Sequence, residues 1–336
     1  MRVAMYYANN DVRIEEIALP KIGLGEILMR IEASGICGTD VMEWYRINRV
    51  PLVLGHEVAG IVEEVGEGVK DFKKGDRIAA AHHVPCGECH YCKSGHPTVC
   101  ETLRKTNFYP GGFSEFIRLP AINVKRGVFR LPKEVSFEEA TFIEPLACVL
   151  RGQKIAGLKK GDTVLILGSG ISGILHINLA KALGAARVVA TDISDYRLGL
   201  AKRFGADEVI DAKNDMPKIE ADVVILCTGA VKAVEQALKS VRRGGAVLLF
   251  AAADKDAAML LPINDIFWRT EVTLTSSYAA SPQEHEEALK LIASRKIKVR
   301  DMITHRLPLA EAGRGFKLVA EAKDSLKVII EPQRKK

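Results

Sequence analysis

The sequence predicts an α/β protein of two domains: a β-rich unit made from the first third and the tail, and a doubly wound parallel sheet between them. Three observations carry this. Short runs of alternating apolar and polar residues with glycine turns fill the first third. A buried strand at 163–167 runs directly into a G-x-G-x-x-G loop and an apolar helical stretch at 174–183. Apolar strands then alternate with helical stretches as far as residue 275. At 336 residues the chain exceeds one small core. The expected boundaries are 1–145 with 296–336 for the β-rich unit and 146–295 for the parallel sheet.

Residues 12–20 and 26–33 read as short antiparallel strands separated by Gly23 and Gly25. Between 33 and 57 the chain offers Cys37-Gly38-Thr39-Asp40 and then Gly55-His56-Glu57: a thiolate, an imidazole and two carboxylates. Zinc takes these donors, and a catalytic zinc uses three protein ligands and keeps one position open. Cys37 and His56 are the first two candidates. Glu57 either ligates or stands behind the metal, and Asp40 is placed to orient His56 through its second ring nitrogen. An isolated Cys/His pair is more often a core histidine beside a buried thiol; the rest of the chain argues against that reading here. Residues 55–69, with β-branched Val58, Ile61, Val62 and Val65, and the turn at 74–78 continue the β pattern.

The strongest local signal is Cys86, Cys89, Cys92 and Cys100, spaced C-x2-C-x2-C-x7-C within a lobe at about 85–102. Short spacings let thiolates curl round one tetrahedral ion, and four sulfurs leave no open position, so the site is structural. An iron–sulfur cluster or two disulfides are the rivals. Seven cysteines in a chain read as cytoplasmic argue for metal over disulfides. His90 and His96 are read as loop residues. Phe108 and Tyr109 precede a returning strand at 111–119 and line a pocket or pack.

The period then changes. Residues 136–155 are helix-like, with Ser136 and Glu139 in capping-box register. Glu144 stands in an apolar run, where an unpaired carboxylate is costly; a metal would be one partner. Cys148 reads mainly as a small buried hydrophobe. After the 163–167 strand, Gly168, Gly170, Ile171, Ser172 and Gly173 form the phosphate-cradling loop and helix start. Asp192 ends the next strand, nineteen residues beyond Gly173. A carboxylate there binds both ribose hydroxyls and repels a 2′-phosphate, which favours NAD over NADP. Arg197 covers the adenosine half or is an exposed helix charge. Strands at 221–227, 245–250 and 272–275 end near Thr228, Ala251 and Tyr278, residues expected to face the nicotinamide half.

Composition excludes some classes. Hydrophobic residues make up 48% and charged residues 27%, the mix of a globular protein. The net charge of +6 is scattered except for Arg334-Lys335-Lys336, so nucleic acid is not expected as a partner. No run of eighteen apolar residues suggests a membrane span, and the N-terminus lacks a secretion signal, so a cytoplasmic location is expected.

With these pieces in place, the chain resembles the zinc-dependent medium-chain dehydrogenases over essentially its whole length. It is nearer their sorbitol (polyol) and L-threonine 3-dehydrogenase branch than the primary alcohol branch. The residues that carry the resemblance are Cys37-Gly38-Thr39-Asp40, the GHExxGxVxxVG stretch at 55–66, the four-cysteine lobe, Glu144-Pro145 and the 168–173 loop. The resemblance implies a GroES-like β domain with a Rossmann domain. It implies a catalytic zinc on Cys37, His56 and either Glu144 or Glu57, a structural zinc, NAD as cofactor, and a homotetramer or dimer. Thr39 would hydrogen-bond the reacting hydroxyl, and Glu57 or zinc-bound water would take its proton onward.

One departure matters. Many relatives carry a histidine where this chain has Met42, and a thioether passes no proton. A metal moves the pKa of a bound water by roughly 8 to 9 units, whereas a positioned base contributes about 10² to 10⁴ in rate. Loss of the relay is therefore tolerable and loss of the metal is not. The expected substrate is a polyol or sugar-derived secondary alcohol; L-threonine is the alternative, which Met42 weakens. A nucleotide-binding protein without turnover is the third reading.

Overall fold

The strand Ile27–Gly35 puts Ile27, Met29 and Ile31 on one fully buried face. That face packs on Val58, Val62, Ile78, Ile117 and Leu119 from neighbouring strands, the alternation a half-buried sheet requires. In this computed structural model, which describes residues 1–214 and 217–334, the strand sits at the centre of a seven-stranded sheet. Lys335 and Lys336 of the basic C-terminal run lie outside the described residues.

Along that sheet the order is Ile303–Pro308, Lys327–Glu331, Ile27–Gly35, Glu57–Val65, Arg77–Ala80 and Val128–Arg130, with Phe116–Leu119 also paired to Ile27–Gly35. The tail therefore completes the sheet begun by the first third, with Ile329 opposite Gly35 and Ile330 opposite Ser34. A smaller sheet joins Asp11–Glu16, Arg2–Ala8 and Leu52–Val53. The helix Ala312–Glu321 contributes Phe316, whose ring lies 5.5 Å from Phe113 and 5.4 Å from Tyr6 in a second core.

The second unit is a six-stranded sheet with every pair parallel. Its strands in chain order are Thr163–Leu167, Arg187–Asp192, Glu208–Asp211, Ala221–Leu226, Val241–Leu249 and Thr273–Ser276. Numbered so, they lie 3-2-1-4-5-6, the doubly wound order whose switch point falls between the first and fourth strands. Near-continuous apolar runs such as Val164–Leu167 suit strands covered on both faces.

The chain divides into Met1–Ala147 with Ala279–Lys336, and Cys148–Tyr278. The first crossing lies within the helix Ile143–Ile155, two residues from the expected boundary. The second corrects the sequence expectation, because the return comes at 279 and not at 296. The helix Pro282–Ala293 belongs to the β-rich unit: His285 stacks on Phe129 at 5.5 Å and 3°, and Leu289 packs on the cluster of Ala81, Val84 and Phe129. The amphipathic pattern of that helix does not say which unit its apolar face meets.

Candidate metal and dinucleotide sites

Cys37 follows the central strand; His56 immediately precedes, and Glu57 opens, the strand Glu57–Val65 beside it. Pairing of Gly35 with Glu57 sets the two segments side by side. One donor atom each from Cys37, His56 and Glu57 lies within 4.8 Å of the others, close enough to converge on a single ion. Asp40, fully buried, accepts a hydrogen bond from the Cys37 amide at 3.0 Å. Its other oxygen is 3.4 Å from His56 Nδ1 and 3.8 Å from an Arg46 nitrogen, ion-pair distances without an aligned hydrogen bond. Burial works against charge on His56, but the Asp40 carboxylate more than offsets it and holds the imidazole well above its ordinary pKa. With Nδ1 turned to Asp40, Nε2 is the nitrogen left for a metal. Thr39 is exposed and its hydroxyl donates to Cys37 Sγ at 3.3 Å.

Glu57 is buried and its Oε2 pairs with Lys327, itself without solvent exposure. Lys327 Nζ also donates to the Ile36 carbonyl at 3.3 Å and lies 5.6 Å above the Phe142 ring. Gly35 makes room for this pair: a Cβ there would collide with Glu57 Oε2 and the lysine stem. Glu144 is half-buried in the first turn of Ile143–Ile155 and lines a small cavity with His285, Thr141 and Phe129. It is not among the three donors that converge, so between the two carboxylates the geometry favours Glu57.

Sequence reasoning missed His82 and His83. The His82 ring lies 4.8 Å from His56 and 3.9 Å from His83. Burial, reinforced by His83 and His56, holds His82 well below the usual imidazole pKa. Nothing in the local pattern around 81–84 signals this, because the approach to His56 is made by strand pairing between Glu57–Val65 and Arg77–Ala80. Of the two aromatics before the returning strand, Phe108 is core and Tyr109 is exposed.

The four thiols of the lobe converge as well. Sulfur separations are 3.6 Å for Cys89–Cys92 and Cys86–Cys100 and 3.9 Å for Cys86–Cys92. A tetrahedral ion with sulfur at about 2.3 Å requires about 3.8 Å between sulfurs, so the set fits zinc and is far too open for disulfides. All seven cysteines are free.

In the other unit, the carboxyl ends of the parallel strands share one edge. Gly168 leaves the first strand with φ +96°, and Gly170 caps the helix Ile171–Ala182. Gly173 packs against the strand end so closely that a Cβ would collide with the Gly168 carbonyl oxygen. The first amides of that helix, at Ile171 and Ser172, lack intrahelical partners and favour a phosphate. Asp192 is buried; its two oxygens accept the amides of Ser169 at 2.8 Å and Ser194 at 2.9 Å. A carboxylate has about four lone-pair sites, so two remain for ribose hydroxyls. Arg197 reaches to 4.0 Å from Asp192. Thr228 and Ala251, half-buried, follow the fourth and fifth strands, and the exposed Tyr278 lies just past the sixth.

No helix among the described residues is long and apolar enough to cross a membrane. The family profile for the alcohol dehydrogenase GroES-like domain matches residues 23–133, and that for zinc-binding dehydrogenases matches 172–294. The sorbitol dehydrogenase of Gallus gallus is 33% identical over 325 residues, covering 91% of this chain and 89% of the relative. The alcohol dehydrogenase of Geobacillus stearothermophilus is 36% identical over 306 residues, 85% and 87% of the two chains. The solved structure of a proposed zinc-binding dehydrogenase from Sinorhizobium meliloti, bound to NADP, superposes with a TM-score of 0.87 at 30% identity over 98% of this chain and 99% of that one. Matched in sequence along both units and in fold along nearly its whole length, the chain belongs to the zinc-dependent medium-chain dehydrogenase family, in its polyol branch.

Proposed function

We propose that this protein oxidises a polyol or sugar-derived secondary alcohol, with NAD as hydride acceptor. The observation that carries this reading is the convergence of Cys37, His56 and Glu57, together with a closed four-thiol cluster elsewhere in the same unit. Three donors leave a fourth position for substrate, whereas four thiolates leave none. When bound, zinc would supply Lewis-acid activation of a hydroxyl and the nicotinamide cofactor would supply hydride acceptance. The chain's own residues do the rest. Cys37, His56 and Glu57 hold the metal, and Asp40 fixes the His56 ring and its tautomer. The Thr39 hydroxyl, now donating to Cys37 Sγ, turns to the substrate oxygen and relays its proton toward solvent, a route open because Thr39 is exposed. Met42 takes no part in proton transfer.

Gly168, Gly170, Ile171, Ser172 and Gly173 hold the pyrophosphate, and Asp192 holds the adenosine ribose. A 2′-phosphate would meet the Asp192 carboxylate, which supports NAD over NADP, although the Sinorhizobium meliloti relative carries NADP. Thr228, Ala251 and Tyr278 flank the nicotinamide half. The free cysteines suit a reducing cytoplasm. The edge strand Thr273–Ser276, with Leu260, Ile263 and Trp268 exposed nearby in sequence, supports a homo-oligomer.

The test is reduction of NAD by the zinc-loaded protein across sorbitol, xylitol, inositols, sugar acids, L-threonine and isopropanol, repeated with NADP. Cys37→Ser should abolish turnover and leave NADH binding intact; turnover that survives the substitution removes this site. Preference for L-threonine would replace the polyol reading.

A further inference from the structure

We propose that His82 determines specificity at this site: its imidazole hydrogen-bonds a second hydroxyl, on the carbon next to the reacting one, so that vicinal diols are selected over simple secondary alcohols. The inference rests on the alcohol-oxidising reading of Cys37, His56 and Glu57.

Position comes first. The His82 ring is 4.8 Å from that of His56 and tilted by 45°, so it borders the metal position without belonging to the converging donors. A side chain one ring away from a ligand reaches the group beside the reacting carbon.

Capacity comes second. His82 Nδ1 is closed to solvent and has no hydrogen-bond partner. A buried polar nitrogen left unpaired costs free energy, and native structures rarely tolerate one without a reason such as a missing ligand. Of the other polar groups around the site, Glu57 Oε2 is tied to Lys327, Asp40 Oδ2 accepts the Cys37 amide, and the Thr39 hydroxyl donates to Cys37 Sγ. Asp40 Oδ1 also lacks a hydrogen bond but faces His56 and Arg46 at ion-pair distance.

Rigidity comes third. Asn123, fully buried, donates to the carbonyls of Ala81 at 2.9 Å and His82 at 3.0 Å, which pins the backbone beneath the ring. The ring itself lies against His83, which is anchored to the Thr106 carbonyl, and edge-on to Phe108 at 6.3 Å. A ring needed only for packing would be served by phenylalanine or leucine. A neutral imidazole held in place offers one donor and one acceptor, which matches a hydroxyl.

The experiment compares wild type, His82→Phe and His82→Asn, each zinc-loaded, on sorbitol and xylitol against isopropanol. Zinc content and thermal midpoint are measured alongside. In His82→Phe the ratio of kcat/KM for polyol over isopropanol should fall about 10-fold, the loss of one hydrogen bond to an uncharged group. His82→Asn, whose amide stands near the place of Nδ1, should recover most of that ratio. An unchanged ratio in His82→Phe overturns the proposal, as does loss of a zinc from that variant, which would make His82 a ligand. If wild type turns over no alcohol, the functional reading fails on its own, and calorimetric binding of sorbitol to the zinc-loaded proteins decides the inference. Binding lost in His82→Phe supports it. Equal binding by both proteins, or none by wild type, overturns it.

Discussion

Lys327 is a lysine with no solvent exposure, and its partner Glu57 is shielded almost as completely. Burying either charge alone costs several kcal/mol, so neither is tolerable without the other. Lys327→Met should therefore destabilise the metal-free protein by about 3–5 kcal/mol, the usual cost of orphaning one member of a buried pair. Lys327→Met combined with Glu57→Gln should recover much of the loss, because the remaining group is then neutral. Calorimetric midpoints of the two singles and the double, zinc-free, check this. Additive losses would mean that the two charges are not energetically coupled. Neither residue announces the pair in the sequence, since 270 positions separate them. Glu57 was legible as a candidate because it follows His56; Lys327 was legible only as the start of a strand, Lys327–Glu331.

At the scale of elements, local patterns that carry their own caps were read correctly, and those whose meaning depends on a distant partner were not. The 168–173 loop needs only its strand, glycines and helix to be recognised, and so does the helix start at Phe137–Ala140. There Ser136 accepts the Glu139 amide at 3.2 Å, and Glu139 accepts the Ser136 amide at 3.0 Å. What the sequence did not reveal is that Glu139 also pairs with Arg295, from beyond the helix Pro282–Ala293. The tail boundary was misplaced for the same reason. Burial works to raise the Glu139 pKa, but the Ser136 amide and Arg295 more than offset it, and the net shift is downward. A carboxyl depressed in the folded state adds stability above its unfolded pKa of about 4.3 and loses it as pH falls through the lower folded value. Glu139→Gln keeps the amide contact and removes the charge. It should cost about 1 kcal/mol at neutral pH, a modest figure because Arg295 is 46% exposed. The gap from wild type should shrink below about pH 4.3 and close once Glu139 is protonated. A gap that persists in acid would assign the effect to packing rather than charge.

At the scale of the whole molecule, the two units divide the chemistry. Everything expected to hold the dinucleotide belongs to Cys148–Tyr278, and both candidate metal clusters belong to the other unit. The four-cysteine lobe was the most legible feature because its ligands fall within fifteen positions and need no long-range partner to be read. Its fit to a tetrahedral ion makes the zinc a fastener for a segment whose only helices are short, Cys100 being the one buried sulfur of the four. Cys100→Ser leaves three thiolates and a weak oxygen donor. Zinc content should fall by about one ion per chain, because a structural site binds through its complete set of ligands. If the freed lobe costs about 2–3 kcal/mol, the thermal midpoint of the β-rich unit should drop by roughly 5–10 °C for a unit of this size. NADH affinity, measured by fluorescence titration of the variant, should stay within about two-fold of wild type, since no cradle residue comes from the lobe. A large rise in the Kd for NADH would show that the fastener also organises the dinucleotide cradle, and the division of labour between the units would then fail.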